Sequence, residues 1–255
     1  MLRPKNNKTK PRIKHRPFLK WAGGKFRLTD DLNRVFPKRK QCLIEPFVGA
    51  GAVFLNSHFE RYILADINPD LINLFNIVKD NVDAYIEACK PIFFAENANT
   101  AEYYYAQRDT FNQSTDPFER SVLFLYLNRF GFNGLCRYNS KNEFNVPFGA
   151  YKTHYFPEDE LRYFAHKAQS AVFLCADFQQ TFELADKHSV IYCDPPYAPL
   201  PQDTNFTGYA GNAFGLEHQK NLAECAKKAQ KEKQISVVIS NHDTKFTREI
   251  YKGAK

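Results

Sequence analysis

Short apolar segments alternate with helical patterns towards both ends of the chain, and this alternation limits the possible folds. Residues 42–47 and 61–65 are predicted to be buried strands, and a helical pattern follows each of them. Three further apolar segments, at 171–175, 189–193 and 235–240, are short and rich in β-branched or aromatic residues. Alternating strands and helices are typical of a parallel sheet with helices on both faces. We therefore predict an α/β protein that binds its ligand at the carboxyl ends of its strands.

The middle of the chain has a different pattern. Helical periodicity extends over 84–114 and 117–128, whereas residues 129–152 are irregular and rich in Gly and Asn. Between residues 119 and 152 there are eight aromatic residues, and five basic residues against two acidic ones. We interpret this segment as an inserted, mainly helical lobe that ends in a basic, aromatic loop. For each aromatic side chain taken singly, burial in the core of the lobe is the simpler explanation.

Positive charge is concentrated at the N-terminus. The first 29 residues contain ten Lys or Arg and no Asp or Glu, although the whole chain has only 35 basic against 28 acidic residues. A basic arm on a nearly neutral body suits a polyanion, because each base that neutralises a phosphate releases a counterion. A solvated basic tail without a partner is the alternative explanation.

The sequence contains no segment typical of export or membrane insertion. The longest apolar run, residues 122–127, is far shorter than the ~18 residues of a spanning helix. The six cysteines are scattered without a pair closer than 18 positions, which argues against a metal knuckle or a disulfide framework. We therefore expect free thiols, no metal and a cytoplasmic location.

The sharpest chemical signal is Asp194-Pro195-Pro196-Tyr197, directly after a predicted strand. Neither proline can donate a backbone hydrogen bond, so the strand ends there and the turn is stiff. A carboxylate, a proline carbonyl and an aromatic ring then meet at the edge of the sheet, where two acceptors can hold the N–H groups of an exocyclic aromatic amine. Such contacts free the lone pair of the nitrogen for attack, through position and electrostatics. A proline-rich turn capped by an aspartate is the structural alternative.

A glycine pair lies between the first predicted strand and its helix. Gly49 and Gly51 would let a nucleotide-like ligand approach the backbone, and Asp66, 17 residues after Gly49, could accept hydrogen bonds from a ribose diol. The third glycine of a dinucleotide-binding fingerprint is missing. Upstream, two further glycines lie between Trp21 and Lys25. Either loop alone could be a structural turn, and the first also suggests a nicotinamide-dependent oxidoreductase as an alternative.

Seven segments, and the order in which they occur, resemble the Dam-type DNA adenine methyltransferases. From the N-terminus they are FLKWAGGK, EPFVGAG, LADIN, LYLNRFGFNGLCRYN, EFNVPFGAY, CDPPYAPL and ISNHDT. The order of the motifs also resembles the α class of amino-methyltransferases. The resemblance implies a Rossmann-like S-adenosylmethionine-dependent methyltransferase sheet with an inserted, mainly helical target-recognition domain. It further implies methyl transfer from S-adenosylmethionine to the exocyclic 6-amino group of adenine in GATC duplexes.

The resemblance also assigns roles to individual positions. The catalytic residues, which would hold the target adenine, are Asp194, Pro195 and Tyr197. S-adenosylmethionine would be bound by Trp21, Lys25, Phe47, Asp66, Phe178 and Asp194. The GATC bases would be contacted by Lys20, Phe132, Arg137, Pro147 and Tyr151. The residue pattern independently favours Arg137, because arginine bound to guanine through two hydrogen bonds is the commonest specific contact in the major groove.

By the same resemblance, the chain has three parts. Residues 16–68 and 170–255 would form the catalytic domain, and residues 69–169 the DNA target-recognition domain. Residues 1–15 form a basic extension, which we expect to be a disordered phosphate-binding arm or a simple tail. The expected partner is double-stranded DNA containing GATC, bound by a monomer in the bacterial cytoplasm at the nucleoid.

Two departures from the family pattern affect these expectations. Phe132 stands where the family has Tyr, so a hydroxyl contact would be lost while stacking is kept. The family also continues beyond the position of Lys255 through a final hairpin, without which one edge of the sheet would be unpaired. The missing hairpin is the one argument for an alternative, an inactive, truncated DNA-binding relative. The Asp-Pro-Pro-Tyr motif alone does not separate the expected enzyme from an RNA adenine or a DNA cytosine-amine methyltransferase, whereas the recognition loop favours duplex DNA.

Overall fold

The computed structural model describes residues 13–198 and 214–254, so most of the basic extension lies outside the described residues. Its last residue, His15, stacks on the Tyr163 ring with a centroid distance of 3.4 Å. The strands are β1 (Cys42–Glu45), β2 (Arg61–Asp66), β3 (Ala171–Cys175), β4 (Ser189–Cys193) and β5 (Ser236–Ile239). The α-helices are α1 (Thr29–Val35), α2 (Ala52–Asn56), α3 (Pro69–Asp80), α4 (Val82–Phe93), α5 (Ala101–Gln113), α6 (Pro117–Phe130), α7 (Glu158–Ala168), α8 (Phe178–Glu183), α9 (Leu216–Lys233) and α10 (Lys245–Ile250). Short 3-10 helices cover Phe26–Leu28 and Phe132–Gly134.

The strands form one parallel sheet in the order β3-β2-β1-β4-β5, which confirms the predicted fold class. In the middle of the sheet, Ile44 of β1 pairs with Ile63 of β2 and with Ile191 of β4. The chain proceeds outwards from β1 to β3 on one side and from β4 to β5 on the other. The strand order therefore reverses between β1 and β4. Open α/β sheets bind their ligands in the crevice at such a reversal, outside the carboxyl ends of the strands.

The two central strands send alternate side chains into two hydrophobic clusters. Leu43 and Val190 belong to a cluster that includes residues of α3 and α7. Ile44 and Ile191 belong to the opposite cluster, with residues of α8 and α9. All four side chains are fully buried. Because successive side chains of a strand point to opposite faces, this burial requires helices on both faces of the sheet.

The helices between β2 and β3 share one hydrophobic core with the sheet. α6 is buried from Ser121 to Phe130 apart from Arg129, and it packs against α3, α4 and α5. α3 in turn lies against β2 and β3, and its Phe75 contacts the ring of Phe173 on β3. The core therefore crosses the predicted domain boundary at residue 69, and the division into two domains stays a prediction.

Local capping decides where these helices begin. Asn68 accepts hydrogen bonds from the N–H groups of Asp70 and Leu71, and α3 then starts at Pro69, whose fixed φ suits a first turn. The helical stretch predicted over 84–114 is interrupted between α4 and α5. There the Thr100 side chain accepts from the Tyr103 N–H and starts a new helix.

All six cysteines lie in the described ranges and are free, as predicted. In residues 13–198 and 214–254, no helix has the length and apolar character needed to cross a membrane. Within the same ranges, no three His, Cys, Asp or Glu side chains are grouped in a way that could hold a metal ion.

Candidate active site and nucleic-acid interface

Asp194 follows β4 immediately and faces a lysine from the N-terminal part of the chain. Lys25 Nζ lies 2.8 Å from Asp194 Oδ2, and the two side chains are only 10% and 19% exposed. The same ammonium group donates to the Gly23 carbonyl at 2.6 Å and lies 4.8 Å from the centre of the Tyr197 ring. The fold thus brings the predicted cofactor residue Lys25 to the turn that carries Asp194 and Tyr197.

Burial acts on the pKa of both charged groups of this pair. Burial raises the pKa of Asp194, although the hydrogen bond and the charge of Lys25 oppose the shift. For Lys25, burial lowers the pKa, but the hydrogen bond and charge of Asp194 outweigh it, so the pKa is raised overall. Asp194 Oδ1 is buried and has no hydrogen-bond partner among the residues that the structure describes. Because buried polar atoms are normally paired, this oxygen is an acceptor that a ligand can satisfy.

Glu45, the last residue of β1, is a second buried carboxyl group at this edge. It is 2% exposed, and its Oε1 has no hydrogen-bond partner among the described residues. Burial raises the pKa of Glu45 well above its usual range, and the charge of Asp194 raises it further. When two carboxyl groups lie close together at a buried edge, the charge of one disfavours ionisation of the other. The sequence analysis did not select Glu45, whose one signal was an acidic residue in an otherwise apolar strand.

The loop between β1 and α2 is shaped by the predicted cofactor residues Trp21 and Asp66. Gly49 has a φ of +48°, and a Cβ at this position would lie 2.8 Å from Trp21 Nε1. Asp66 accepts the N–H of Gly49 at 3.2 Å and the N–H of Asn68 at 3.0 Å. Burial raises the pKa of Asp66, and these backbone hydrogen bonds oppose the shift. Trp21, Gly49 and Asp66 therefore form one tightly packed unit beside the end of β2.

Aromatic rings that follow β1 and β3 in the chain pack against each other. Phe47 and Phe178, both predicted to bind the cofactor, are stacked with centroids 5.8 Å apart and an interplanar angle of 24°. Phe214 packs edge-on against Phe47 at 5.4 Å and contacts Phe178 at 5.7 Å. The sequence analysis did not select Phe214. Apolar rings of this kind can enclose the flat ring of a nucleoside.

Four of the five predicted DNA-contacting residues lie together around the start of the irregular loop. Lys20 Nζ lies 3.8 Å from the centre of the Tyr151 ring and donates to the Arg129 carbonyl at 2.8 Å. The Tyr151 hydroxyl donates to the Gly131 carbonyl at 3.2 Å. Next to Gly131, Phe132 donates its N–H to the Pro147 carbonyl at 2.8 Å. Phe132 is 48% exposed, so this surface presents an apolar ring to solvent beside a cation.

A buried asparagine holds this surface together. Asn128 on α6 is 1% exposed, and its Oδ1 accepts the Lys20 N–H at 2.8 Å. Its Nδ2 donates to the carbonyls of Lys20 at 2.8 Å and of Gly134 at 3.2 Å. Lys20 packs so closely on Gly134, which has a φ of +59°, that a side chain there has no room. The sequence analysis missed Asn128, because its partner at position 20 is 108 residues away.

Arg137, the fifth predicted DNA-contacting residue, is held separately by Asn145. Arg137 Nε donates to Asn145 Oδ1 at 2.7 Å, and Nη2 donates to the Asn145 carbonyl at 3.0 Å. The N–H of Asn145 donates to the carbonyl of Arg137 at 3.0 Å. One edge of the guanidinium is therefore fixed, while Nη1 has no hydrogen-bond partner among the described residues. Asn145 was not selected from the sequence.

The residues on both sides of Arg137 attach the loop to the turn after β2. The Tyr138 hydroxyl donates to Asp70 Oδ2 at 2.7 Å, and Asn68 Nδ2 lies 3.2 Å from Cys136 Sγ. Asp70 also forms a two-point ion pair with Arg120, at 2.9 and 3.0 Å. The loop that carries Arg137 is thus anchored two to four residues from Asp66.

We predict that Gly49→Ala displaces Trp21. The added methyl group would clash with the indole, and the positive φ strains an alanine, so we expect a loss of about 1–3 kcal/mol in the free energy of unfolding. Trp21 is the only tryptophan, so a shift of the fluorescence maximum reports its displacement directly. Gly23→Ala is the matched control, because its φ is +75° but no atom of residues 13–198 or 214–254 outside its chain neighbours lies within 4 Å of the added carbon. Unchanged emission in Gly49→Ala would contradict the close packing.

The chain is similar to a protein family and to several named enzymes. Residues 21–255 match the model of the D12 class N6 adenine-specific DNA methyltransferases. The chain is 82% identical over 255 residues to the DNA adenine methylase of Haemophilus influenzae, with 100% of this chain and 89% of the relative covered. It is 60% identical over 242 residues to the DNA adenine methylases of Vibrio cholerae and of Escherichia coli K12, covering 95% of this chain and 87% and 86% of those proteins.

These matches cover the sheet, the helical insert and the turn after β4, and they decide against the nicotinamide-dependent oxidoreductase. They also decide against an RNA adenine or a DNA cytosine-amine methyltransferase, because the family acts on adenine in DNA. The chain belongs to the D12 class of N6 adenine-specific DNA methyltransferases.

Proposed function

We propose that this enzyme methylates adenine within GATC sequences of duplex DNA and takes the methyl group from S-adenosylmethionine. The observation that carries the proposal is the largely buried Asp194 side chain beside Lys25 and Tyr197, at the point where the strand order of the sheet reverses. Adenine methylation of DNA follows from the family. The methyl donor, the target sequence and the residue roles are the proposed refinements.

The chemistry at the carboxyl edge of the sheet fits S-adenosylmethionine. Glu45, Asp66 and Asp194 end or follow three neighbouring strands, β1, β2 and β4. Such an acidic edge suits a ligand with ribose hydroxyls, an ammonium group and a positively charged sulfur, and Asp66 would accept from the ribose diol. When bound, S-adenosylmethionine supplies an electrophilic methyl group. The residues that would hold it are Trp21, Lys25, Phe47, Asp66, Phe178 and Asp194.

The turn after β4 would activate the adenine amine by holding its hydrogens. The unpaired Asp194 Oδ1 and the Pro195 carbonyl would each accept one N–H bond, which favours a tetrahedral nitrogen with a free lone pair. The Tyr197 ring would stack on the adenine. As the new nitrogen–carbon bond forms and the carbon–sulfur bond breaks, the amine loses one proton to water. Catalysis then depends on position and electrostatics rather than on a strong base.

Arg137 is the proposed reader of guanine. Asn145 occupies its Nε and one N–H of Nη2. The remaining N–H groups of Nη1 and Nη2 form an end-on pair of donors that matches the O6 and N7 acceptors of guanine. A guanidinium that is already oriented loses less conformational entropy on binding. Arg137 thus enters the major groove as a rigid probe.

The exposed surface around Phe132 is proposed to receive the DNA after the adenine has left the helix. An enzyme that modifies a base must extrude it, and side chains can fill and stack on the resulting gap. Phe132 and Tyr151 offer rings for stacking, Lys20 offers a cation, and Pro147 lies at the same surface. Phe132 can stack but lacks the hydroxyl of the family's tyrosine. We further propose that a monomer acts in the bacterial cytoplasm, at the nucleoid, without a metal.

The primary test is incubation with labelled S-adenosylmethionine and two duplexes, one with a single GATC and one with the same bases permuted. We expect label on the GATC duplex alone. Equal labelling of both duplexes would refute the target sequence. The DNA adenine methylase of Escherichia coli is run in parallel as the positive control. If it transfers label to DNA and this chain labels neither duplex, methylation by this chain is refuted.

Asp194→Ala is predicted to lower methyl transfer by at least ~10²-fold, because one of the two acceptors for the amine is lost. Duplex binding, measured by fluorescence anisotropy, should be retained. Asp31→Ala is the control, since Asp31 is exposed and its one ion pair within the described ranges is with Arg34 on the same helix. An Asp194→Ala enzyme with the rate of the wild type would refute the proposed mechanism.

Arg137→Ala is predicted to reduce discrimination between GATC and sites with a substituted guanine by about 1–3 kcal/mol, or roughly 5- to 150-fold. The measurement is the ratio of kcat/KM for the two duplexes. Lys141→Ala, which removes an exposed cation from the same loop, should preserve this ratio. Equal ratios for Arg137→Ala and the wild type would show that another residue reads the guanine.

Lys20 makes DNA binding sensitive to pH. Burial, and secondarily the charge of Arg129, lowers the pKa of Lys20 to about 8. The protonated form binds DNA, so the affinity for duplex should fall as the pH rises from 7 to 9. The Lys20→Arg enzyme stays charged over this range and should show a flatter profile. Identical profiles for the two proteins would refute a DNA contact by the Lys20 ammonium group.

A further inference from the structure

The turn that carries the proposed catalytic residues, 194–198, receives hydrogen bonds from side chains outside it. Pro195 and Pro196 lack N–H groups, and the last backbone hydrogen bond of the strand joins Ser240 N–H to the Cys193 carbonyl at 2.9 Å. Among the described residues, no backbone–backbone hydrogen bond involves positions 195–198. Methyl transfer nevertheless requires that the Pro195 carbonyl and Asp194 keep fixed directions. Something outside the turn must supply that rigidity.

Gln219, on the first turns of α9, supplies the first support. It is 0% exposed, although glutamine is ordinarily a surface residue. Its Nε2 donates to the Pro196 carbonyl at 2.7 Å, and its Oε1 accepts from Asn241 Nδ2 at 2.8 Å. Both ends of the amide are therefore used, one on the turn and one on the residues after β5.

Asn241 extends the same support to the other side of Tyr197. Its Oδ1 accepts the N–H of Ala198 at 3.0 Å and the N–H of His242 at 2.9 Å. His242 Nδ1 lies 2.8 Å from the Ala198 carbonyl, and because a carbonyl only accepts, the proton must be on Nδ1. The His242 ring also stands edge-on to the Tyr197 ring, with centroids 4.8 Å apart and an angle of 80°.

We propose that Gln219 and Asn241 are positioning residues for methyl transfer, which fix the turn 194–198 through its backbone. They hold the Pro196 carbonyl and the Ala198 N–H, the groups on either side of Tyr197. Among the described residues, no hydrogen bond reaches the Pro195 carbonyl or Asp194 Oδ1, so both can accept from the amine. With the following peptide fixed and the φ of each proline locked by its ring, the Pro195 carbonyl keeps one direction.

The inference rests on the proposed role of Asp194 and Pro195, so the test contains a variant of a positioning residue and a variant of Asp194. Gln219→Met removes both hydrogen bonds and keeps a similar shape. Gln230→Met is the matched control, because Gln230 is an exposed glutamine on the same helix. Asp194→Ala is measured in parallel. The readouts are the single-turnover rate of methyl transfer, donor affinity from Trp21 fluorescence, and duplex affinity from anisotropy.

We expect Gln219→Met to lower the single-turnover rate by ~10²-fold, the effect of a misplacement of about 1 Å, with both affinities unchanged. Asn241→Asp keeps the acceptor for Ala198 but loses the donor to Gln219, so its single-turnover rate should fall less than that of Gln219→Met. A Gln219→Met enzyme with the wild-type rate, beside an inactive Asp194→Ala, overturns this inference alone. If Asp194→Ala itself is fully active, the proposed function fails instead.

A second variant, Gln219→Glu, distinguishes an effect of Gln219 on the orientation of the turn from an effect on the stability of the fold. In Gln219→Glu, a protonated carboxyl group can donate to the Pro196 carbonyl and accept from Asn241, whereas the ionised form can only accept. The methyl-transfer rate of this variant should therefore fall with rising pH through an ionisation that is absent from the wild type and from Gln230→Glu. A merely structural Gln219 would leave the pH profile of folded enzyme unchanged, and that result would overturn the proposal even if Gln219→Met does not fold.

Discussion

The ion pair between Lys25 and Asp194 is the contact on which the rest of the active site depends. It joins a residue that precedes the first helix to the turn after β4. Asp194 also lies near the buried Glu45, whose pKa its charge raises, so without Lys25 the Asp194 carboxylate would keep a neighbouring carboxyl group and lose its ion-pair partner. Removing one partner of a buried pair typically costs about 3–5 kcal/mol. The N-terminal loop with Trp21 is therefore held in place by the same carboxylate that is proposed to hold the adenine.

Amide side chains, buried in Asn128 and Gln219 and half-buried in Asn145, supply the hydrogen bonds that the loops around the site need. The loops around the site carry backbone groups that have no neighbouring strand, and each buried group needs a partner. Asn128 supplies hydrogen-bond partners for the backbone of Lys20 and Gly134, and Asn145 fixes the guanidinium of Arg137. Gln219 donates a hydrogen bond to the Pro196 carbonyl. Loops are ordinarily mobile, but these are tied by side chains from helices or from the loop itself. Such ties make irregular backbone stiff enough to orient reacting groups.

Sequence reasoning succeeded where a local pattern determines structure. Alternating apolar segments predicted the parallel sheet, and the two prolines after Asp194 placed that residue at the end of β4. It failed for contacts between distant positions. Gln219 lies in a polar helical stretch that gives no sign of burial, and its partner Pro196 is 23 residues away. Asn128 and Glu45 are polar residues within apolar runs, so their local pattern indicates only a helix and a strand.

Target reading and donor binding are proposed to share one rigid element, the start of α3. Asp66 ends β2, and Asn68 and Asp70 hold Cys136 and Tyr138 on both sides of Arg137. If residues 69–169 moved as a separate body, the apolar core between α3 and the strands β2 and β3 would have to open, including the contact of Phe75 with Phe173. This is costly because the core is closely packed and buried. We therefore expect the guanine-reading loop and the donor site to keep a fixed spacing, so that specificity arises from which DNA fits this spacing rather than from closure of two domains.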